Sequence, residues 1–179
     1  ATSGSGIDLQ ANEIVQANGL SVTTQGANVN YTVHAGKDTY AMRIGESASG
    51  STTTIDAGGG DITLTSTAGS GENVRRAIQL LSADLVTTSG AVSVTGDATL
   101  SGITSSNAWG IQVYNTDIET DSGSITLTGT GGRDARDSRG IVAQNTDFRL
   151  LSDTGAITLI DAEATSGGSN SNREYKGLW

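Results

Sequence analysis

The sequence predicts an all-β protein, a parallel β-solenoid whose successive coils stack on one another. One phrase recurs almost unchanged, as GDITLTSTAG at 60–69, GAVSVTGDAT at 90–99, GSITLTGTGG at 123–132 and GAITLIDAEA at 155–164. Apolar residues alternate with Ser and Thr in these copies, which is typical of strands with one buried face. No window has a helical periodicity of useful length.

Composition agrees with a solenoid. Of 179 residues only 35% are hydrophobic, 25 are glycine, and there is no proline or cysteine. An ordinary globule of this length needs more large apolar residues to offset its chain entropy. A solenoid core takes only a few inward residues from each coil, so we expect residues 1–179 to form a single solenoid segment.

Two further phrases recur in fixed order with the first. One is a small residue followed by an apolar alternation, and it begins at 6, 41, 77, 110, 140 and 177, at intervals of 35, 36, 33, 30 and 37 residues. The other follows shortly and covers 12–16, 53–57, 83–87, 116–120 and 146–150. Three strands in each repeat of about 30–37 residues predict about five coils.

Each side of the coil then contributes a column of inward residues. On the first side these are Ile7/Leu9, Met42/Ile44, Ile78/Leu80, Ile111/Val113 and Ile141/Ala143. On the second side they are Ile14, Ile55, Leu85, Ile118 and Phe148. On the third side they are Leu20/Val22, Ile62/Leu64, Val92/Val94, Ile125/Leu127 and Ile157/Leu159. Glycines precede the third strand, and we expect a corner there that needs either a positive φ or close backbone approach: Gly19, Gly60, Gly90, Gly123 and Gly155.

Both ends of the sequence fall within a coil. ATSGS is typical of a loop, GLW at 177–179 is typical of a further first strand, and no capping segment is evident. Uncapped solenoid ends present open strand edges. We therefore expect a segment of a longer repeat array, with a filament subunit joined head to tail as the alternative.

The charge excludes some partners. The formal net charge is −9 and the pI is about 4.3, which disfavours nucleic acid, because phosphate binding needs a basic face. No stretch approaches the roughly 20 apolar residues of a membrane span.

The repeated phrases resemble those of a known group of proteins. G-x-[IV]-T-[LV]-T, together with [GA]-I-x-[LV] and T-D-[IF], is similar to the repeats of giant bacterial surface proteins, the filamentous-haemagglutinin-like and autotransporter-like adhesins. The resemblance implies a right-handed parallel β-helix, an extracellular or cell-surface location, and a structural or adhesive role. Cell-surface glycans or proteins, or further copies of the chain end to end, are then the expected partners. It carries over no catalytic residues.

Equivalent outward residues form ladders, and one of them is basic and aromatic. It stands just before each first-side strand and comprises Tyr40, Arg76, Trp109, Arg139 and Lys176. Aromatic rings and guanidinium groups attract one another when stacked. We expect this ladder either to bind glycans or a partner protein, or to cover the corner as a self-satisfied structural stack.

A second ladder is acidic. It places Asp84, Asp117 and Asp147 in consecutive coils, after Glu13 and Thr54. Calcium could bridge such carboxylates, but the calcium signature of nonapeptide solenoids is absent. We favour aspartates that bond the backbone of their own turns, and we predict no other metal or cofactor.

The third ladder is the outward face of the third strand, with Ser21/Thr23, Thr63/Thr65, Ser93/Thr95, Thr126/Thr128 and Thr158/Ile160. It leaves ice or glycan binding open as an alternative function, although strand propensity explains threonine equally well. A polysaccharide lyase or hydrolase is a further alternative, because such enzymes also use parallel β-helices. We predict no enzyme, since the only histidine, His34, lies in a variable loop and no carboxylate pair stands out.

Overall fold

The computed structural model describes residues 6–36, 39–47, 49–69, 76–99, 107–132, 137–144 and 148–162. These residues form strands and contain no helix. The strands are β1 (Ile7–Ala11), β2 (Ile14–Gln16), β3 (Ser21–Thr23), β4 (Val29–Gly36), β5 (Tyr40–Ile44), β6 (Thr53–Gly58), β7 (Ile62–Ala68), β8 (Arg76–Thr87), β9 (Val92–Asp97), β10 (Asn107–Thr120), β11 (Ile125–Thr130), β12 (Asp137–Ala143), β13 (Phe148–Ser152) and β14 (Ile157–Ala162).

The strands pair in parallel and build two sheets. Sheet A has the order β1-β4-β7-β9-β11-β14. Sheet B has eight strands and two sides. Its first side is β2, β5, the beginnings of β8 and β10, and β12, and its second side is β3, β6, the ends of β8 and β10, and β13. The chain is thus a β-solenoid of about four turns, close to the predicted five, and the all-β solenoid prediction is confirmed.

A sharp corner divides the two sides of sheet B. Strands β8 and β10 run through it without a break, because Ser82 and Asn115 adopt left-handed φ values of 46° and 47°. At the same corner of the preceding coil, Gly45 directly follows β5 and has a φ of 80°. The repeated phrases predict a turn between the first and second sides, but not that one strand continues through it, because serine rarely adopts this conformation.

The core is the stack of inward side chains between the two sheets. Residues alternate between buried and half-buried along β6, β7, β9 and β11, as period two requires. Twelve large side chains are fully buried: Met42, Ile44, Ile55, Ile62, Leu64, Ile78, Leu80, Leu85, Ile111, Ile118, Ile125 and Leu127. All of them stand at inward positions that the alternation predicted.

A glycine column marks the corner where the second side turns into sheet A. A Cβ added to Gly90 would overlap the carbonyl oxygen of Gly60, and one added to Gly123 would overlap that of Gly90. The close backbone approach, and not a positive φ, therefore explains the glycines here. Gly19 is different, since it has φ 71° and lies between β2 and β3.

Hydroxyl groups form hydrogen bonds with backbone N–H and C=O groups inside this corner. Ser152 Oγ accepts the N–H of Gly155 at 2.9 Å and donates to the Gly123 oxygen at 2.9 Å. Thr120 Oγ1 repeats the pattern one coil earlier, accepting from Gly123 N–H at 2.9 Å and lying 3.2 Å from the Gly90 oxygen. Each hydroxyl thereby joins its own turn to the preceding coil.

A second set of glycines closes the cross-section of the coil at a point that we call the neck, formed by Gly96, Gly110, Gly129 and Gly140. A Cβ on Gly96 would overlap the Gly110 oxygen, and one on Gly129 would overlap the Gly140 oxygen. The ends of β9 and β11 thus touch the beginnings of the first-side strands β10 and β12. Ala77, which stands in the same column as Gly110, forms a small separate buried cluster with Ala68 and Ala98.

In the first coil, the strands lie on different sides of the solenoid from those that the sequence predicts. Residues 6–9 were assigned to the first side, but β1 pairs with β4 and belongs to sheet A. Ile14 pairs with Met42 on the first side, and Val22 pairs with Ile55 on the second. The sheet A strand of this coil is β4, which lies in a segment where the repeats predict a loop.

The reason lies in the corner residues. Ala27 takes the position of the column glycine next to Gly60, and the side chain of Asn28 accepts the N–H of Asp61 at 2.9 Å. The segment ANVNYTV therefore lacks the glycine, and it has Asn30 where the copy at 60–69 has the first of its two outward threonines.

The last described coil is also shifted. Phe148 was predicted opposite Ile118, but Ile118 pairs with Leu150 and Thr116 pairs with Phe148. A shift of two residues keeps every side chain on its predicted face. It also places Arg149 opposite Asp117, where the two side chains form an ion pair.

Candidate functional site

The basic and aromatic ladder is present in the predicted order. Tyr40 pairs with Arg76, Arg76 with Trp109, and Trp109 with Arg139. Lys176 lies outside the described residues. The ladder stands where first-side strands begin, just before the neck residues Gly110 and Gly140, so the closure of the coil brings its members into one column.

Within this ladder the Arg76 guanidinium carbon lies 5.0 Å from the centre of the Trp109 ring, which is a cation–π contact. The Trp109 side chain is only 4% exposed, whereas Tyr40, Arg76 and Arg139 are half-buried. In the described part of the structure, Trp109 Nε1 is buried and meets no hydrogen-bond acceptor. The indole is thus packed into the structure beside the neck, where sheet A meets the first side of sheet B. Its predicted contact with Arg139 stays a prediction.

Sequence analysis missed one member of this region. Arg43 lies with its guanidinium carbon 4.2 Å from the centre of the Tyr40 ring, and its Nη2 is 3.7 Å from Glu46 Oε1. Its position three residues after Tyr40, on the outward face of β5, was the available signal.

The acidic ladder is present in two of its three aspartates. Thr54, Asp84 and Asp117 stand opposite one another on the second side. Asp147 lies outside the described residues, and the register gives the next position to Arg149. The predicted order along this side is therefore wrong at both ends, since Ser21 and not Glu13 pairs with Thr54.

Arg149 neutralises part of this side. Its Nε and Nη2 donate to the two carboxylate oxygens of Asp117 at 3.0 and 2.6 Å, and Nη2 also reaches Glu119 at 2.9 Å. Burial raises the pKa of the Asp84 carboxyl, and the neighbouring Asp117 and Glu119 raise it further, whereas Arg149 lowers it. The ionised Asp84 carboxylate is thus disfavoured, and the Arg149 guanidinium two coils away offsets this only in part.

Metal ligands do not converge in the part of the chain that the structure describes: no group of three or more His, Cys, Asp or Glu residues is placed to hold an ion. His34 is exposed and lies in β4, not in a loop. Calcium at the acidic ladder stays a prediction.

The hydroxyl face of sheet A differs from the prediction at its first coil. Ser21 and Thr23 lie on the second side, and the face continues from Thr63 and Thr65 to Asn30 and Thr32. From β4 to β14 the first outward column is Asn30, Thr63, Ser93, Thr126 and Thr158, and the second is Thr32, Thr65, Thr95, Thr128 and Ile160.

The fold and its ladders define the class of the molecule, a parallel β-solenoid repeat protein. No protein-family model matches the sequence, and no curated protein or solved structure matches it either. Among the described residues no helix is long and apolar enough to cross a membrane.

Proposed function

We propose that this chain is a non-catalytic structural segment of a secreted or cell-surface bacterial protein with an adhesive role. One observation carries the proposal: polar side chains on the outward faces of the strands form hydrogen bonds along the stack. Gln79 donates to Gln112 at 2.6 Å, Gln112 donates to Gln144 at 2.7 Å, and Arg149 bridges to Asp117. Groups arranged in this way stiffen a rod, whereas catalysis needs groups that converge on one point.

Adhesion is proposed to use the half-buried members of the basic and aromatic ladder. Because the Trp109 indole is packed in the corner, a glycan or an acidic protein surface would meet Arg139 and Tyr40. These residues offer a positive charge and an aromatic edge on a chain of net charge −9.

The test is attachment of the purified chain to glycan arrays and to cell surfaces. We expect Arg139→Ala to weaken attachment without moving the thermal midpoint, and Arg149→Ala, on the other side of sheet B, to leave attachment unchanged. Equal attachment by all three proteins would contradict the proposed contact. Turnover of polyuronides by the unmodified chain would replace the structural role with the lyase alternative.

The hydroxyl face of sheet A supports a second candidate, binding of ice or a neutral glycan. The two outward columns from β4 to β14 contain no charged residue, which favours an uncharged partner. Thermal hysteresis tests the ice alternative: Thr95→Lys, at the middle of the face, should abolish it, and Thr54→Lys, on the second side, should not.

A further inference from the structure

An Asn-Gly pair stands at the corner between the first and second sides in the first coil. Asn18 and Gly19 lie between β2 and β3, and the N–H of Leu20 closes the turn by donating to the Ala17 oxygen at 3.4 Å. The sequence contains no other Asn-Gly pair. The fold needs glycine after Asn18, because Gly19 has a φ of 71° and a Cβ there would lie 3.3 Å from the Ser51 Cβ.

Glycine at this position leaves the backbone nitrogen accessible. Gly19 is exposed, and its N–H donates to the Ser51 oxygen at 3.3 Å, which is longer than most N–H···O bonds. In any other Asn-X pair, the side chain of the second residue partly covers this nitrogen. The nitrogen of Gly19 can therefore approach the side-chain carbon Cγ of Asn18 more closely than a nitrogen beside a Cβ could.

Two backbone donors of the next coil hold the Asn18 side chain. Its Oδ1 accepts the N–H of Glu46 at 2.7 Å and the N–H of Ser47 at 3.2 Å. The N–H of Gly45, whose φ is 80°, donates to the Gln16 oxygen at 2.8 Å and so brings these donors against Asn18. Two N–H groups on one oxygen stabilise the negative charge that grows there when a nucleophile attacks Cγ, as in an oxyanion hole.

We propose that Asn18 is a site of spontaneous covalent modification in the folded chain. The nitrogen of Gly19 forms a bond to Asn18 Cγ and loses its proton to solvent, while the Cγ–Nδ2 bond breaks and Nδ2 takes up a proton and leaves as ammonia. The product is a five-membered succinimide ring. Water then adds to one of the two ring carbonyls and opens the ring, which gives aspartate or the β-linked isoaspartate. The sequence of steps consumes one water and releases one ammonia, so it needs no oxidant, reductant or cofactor.

The two products affect the structure differently. Asn18 joins the first coil to Glu46 and Ser47 of the second, and a Cβ added to Gly50 would overlap its Nδ2. Aspartate has a carboxylate oxygen where Oδ1 stands, so it keeps both N–H bonds. In isoaspartate the main chain runs through the former side-chain carbon, and the free carboxylate is attached directly to Cα. We therefore expect isoaspartate to release Glu46 and Ser47, and aspartate to retain them.

The first test is to age the purified chain at mildly alkaline pH and to map its peptides by mass spectrometry, where each conversion adds about one dalton. Asn115 is the matched control in the same chain, because it lies at the same corner but precedes Thr116, whose branched side chain covers the backbone nitrogen. We expect Asn18 to convert roughly tenfold faster than Asn115 or more. Hydroxylamine, which cleaves succinimides, should cut the chain between residues 18 and 19. Conversion of Asn18 no faster than that of Asn115 would overturn the proposal.

The denatured chain separates the effect of the fold from that of the Asn-Gly pair itself. In concentrated urea the two N–H donors are lost, so conversion at Asn18 should be severalfold slower than in the folded chain. Conversion that is equally fast or faster in urea would show that the fold does not activate Asn18, and would overturn the proposal.

Hydrogen exchange tests the structural consequence. The amides of Glu46 and Ser47 should exchange as slowly in the Asn18→Asp variant as in the fresh unmodified chain, and faster in the isoaspartate fraction of the aged chain. Unchanged exchange in the isoaspartate fraction would contradict the assigned role of Asn18 in holding these residues. None of these measurements depends on attachment to glycans or cells, so this inference and the proposed function can fail independently.

Discussion

The register between successive coils is fixed by different interactions in sheet A and in sheet B. From β7 to β14, sheet A repeats one chemistry, with Ile, Val or Leu inward, small polar residues mostly outward, and glycine at the corner. Sheet B changes its outward chemistry at each coil, from Tyr40 through Arg76 and Trp109 to Arg139 on the first side. Steric exclusion fixes the register of sheet A, and specific pairs of side chains fix that of sheet B.

The strongest disruption of sheet A is a charge in its core. Leu127→Asp would bury an unpaired carboxylate between two coils, at a site with no exposure. We expect a loss of about 4 kcal/mol or more in the free energy of unfolding, measured by chemical denaturation. The neighbouring outward substitution Thr126→Asp should cost far less, and equal losses would contradict the inward and outward assignment.

The matching disruption of sheet B removes its packed aromatic ring. Trp109→Ala should destabilise the chain by about 3 kcal/mol, because a nearly buried indole leaves a cavity and Arg76 loses its ring contact. Tyr114→Ala removes a half-buried ring from the same strand and should cost less. A thermal midpoint unchanged by Trp109→Ala would show that the indole only covers the surface.

The glycine column tests steric exclusion directly. Gly123→Ala places a methyl group against the carbonyl of Gly90 and should cost about 2 kcal/mol through backbone displacement. Gly59→Ala is the control, because a Cβ there would meet only the Ser89 hydroxyl at 3.4 Å and the Thr88 hydroxyl at 3.9 Å. Calorimetry of both variants should show a lower midpoint for the first alone.

The smallest expected effect on stability concerns the charge on Asp84. Here the substitution should stabilise the chain, whereas the preceding ones should destabilise it. Because burial raises the pKa of the Asp84 carboxyl in the folded chain, and Asp117 and Glu119 raise it further, ionisation of Asp84 opposes folding. Stability should fall as pH rises through the folded pKa of Asp84. Asp84→Asn should remove this fall and stabilise the chain at neutral pH by less than about 1 kcal/mol, since the group is only partly buried. Denaturation curves for both proteins at acidic and neutral pH check this, and a stabilising effect that persists at the lowest pH would contradict it.

The comparison also explains what could be predicted from the sequence. The columns through Ile62, Val92, Ile125 and Ile157 were correct because the glycine before each strand allows one register only. Phe148 was placed two residues off because apolar alternation is identical in both registers, and the choice depends on the Arg149–Asp117 pair. Strand β4 was missed because Ala27 replaces the expected glycine.

The candidate site also has features that could be predicted from the sequence and others that could not. The order of Tyr40, Arg76, Trp109 and Arg139 could be predicted, because it depends on counting from one repeat to the next. The burial of Trp109 could not, since it depends on how the corner closes around the ring. Arg43 joins the ladder through a three-residue offset within one strand, which a comparison between repeats does not detect.

The neck has a consequence for how such a chain can change over time. Backbone contacts at Gly96–Gly110 and Gly129–Gly140 complete each ring of the core before the polypeptide departs toward the next one. Residues within the strands, and not the segments between β9 and β10 or between β11 and β12, thus make these closing contacts. A lineage could therefore change the length of these two segments while the closing contacts of the rings stay the same.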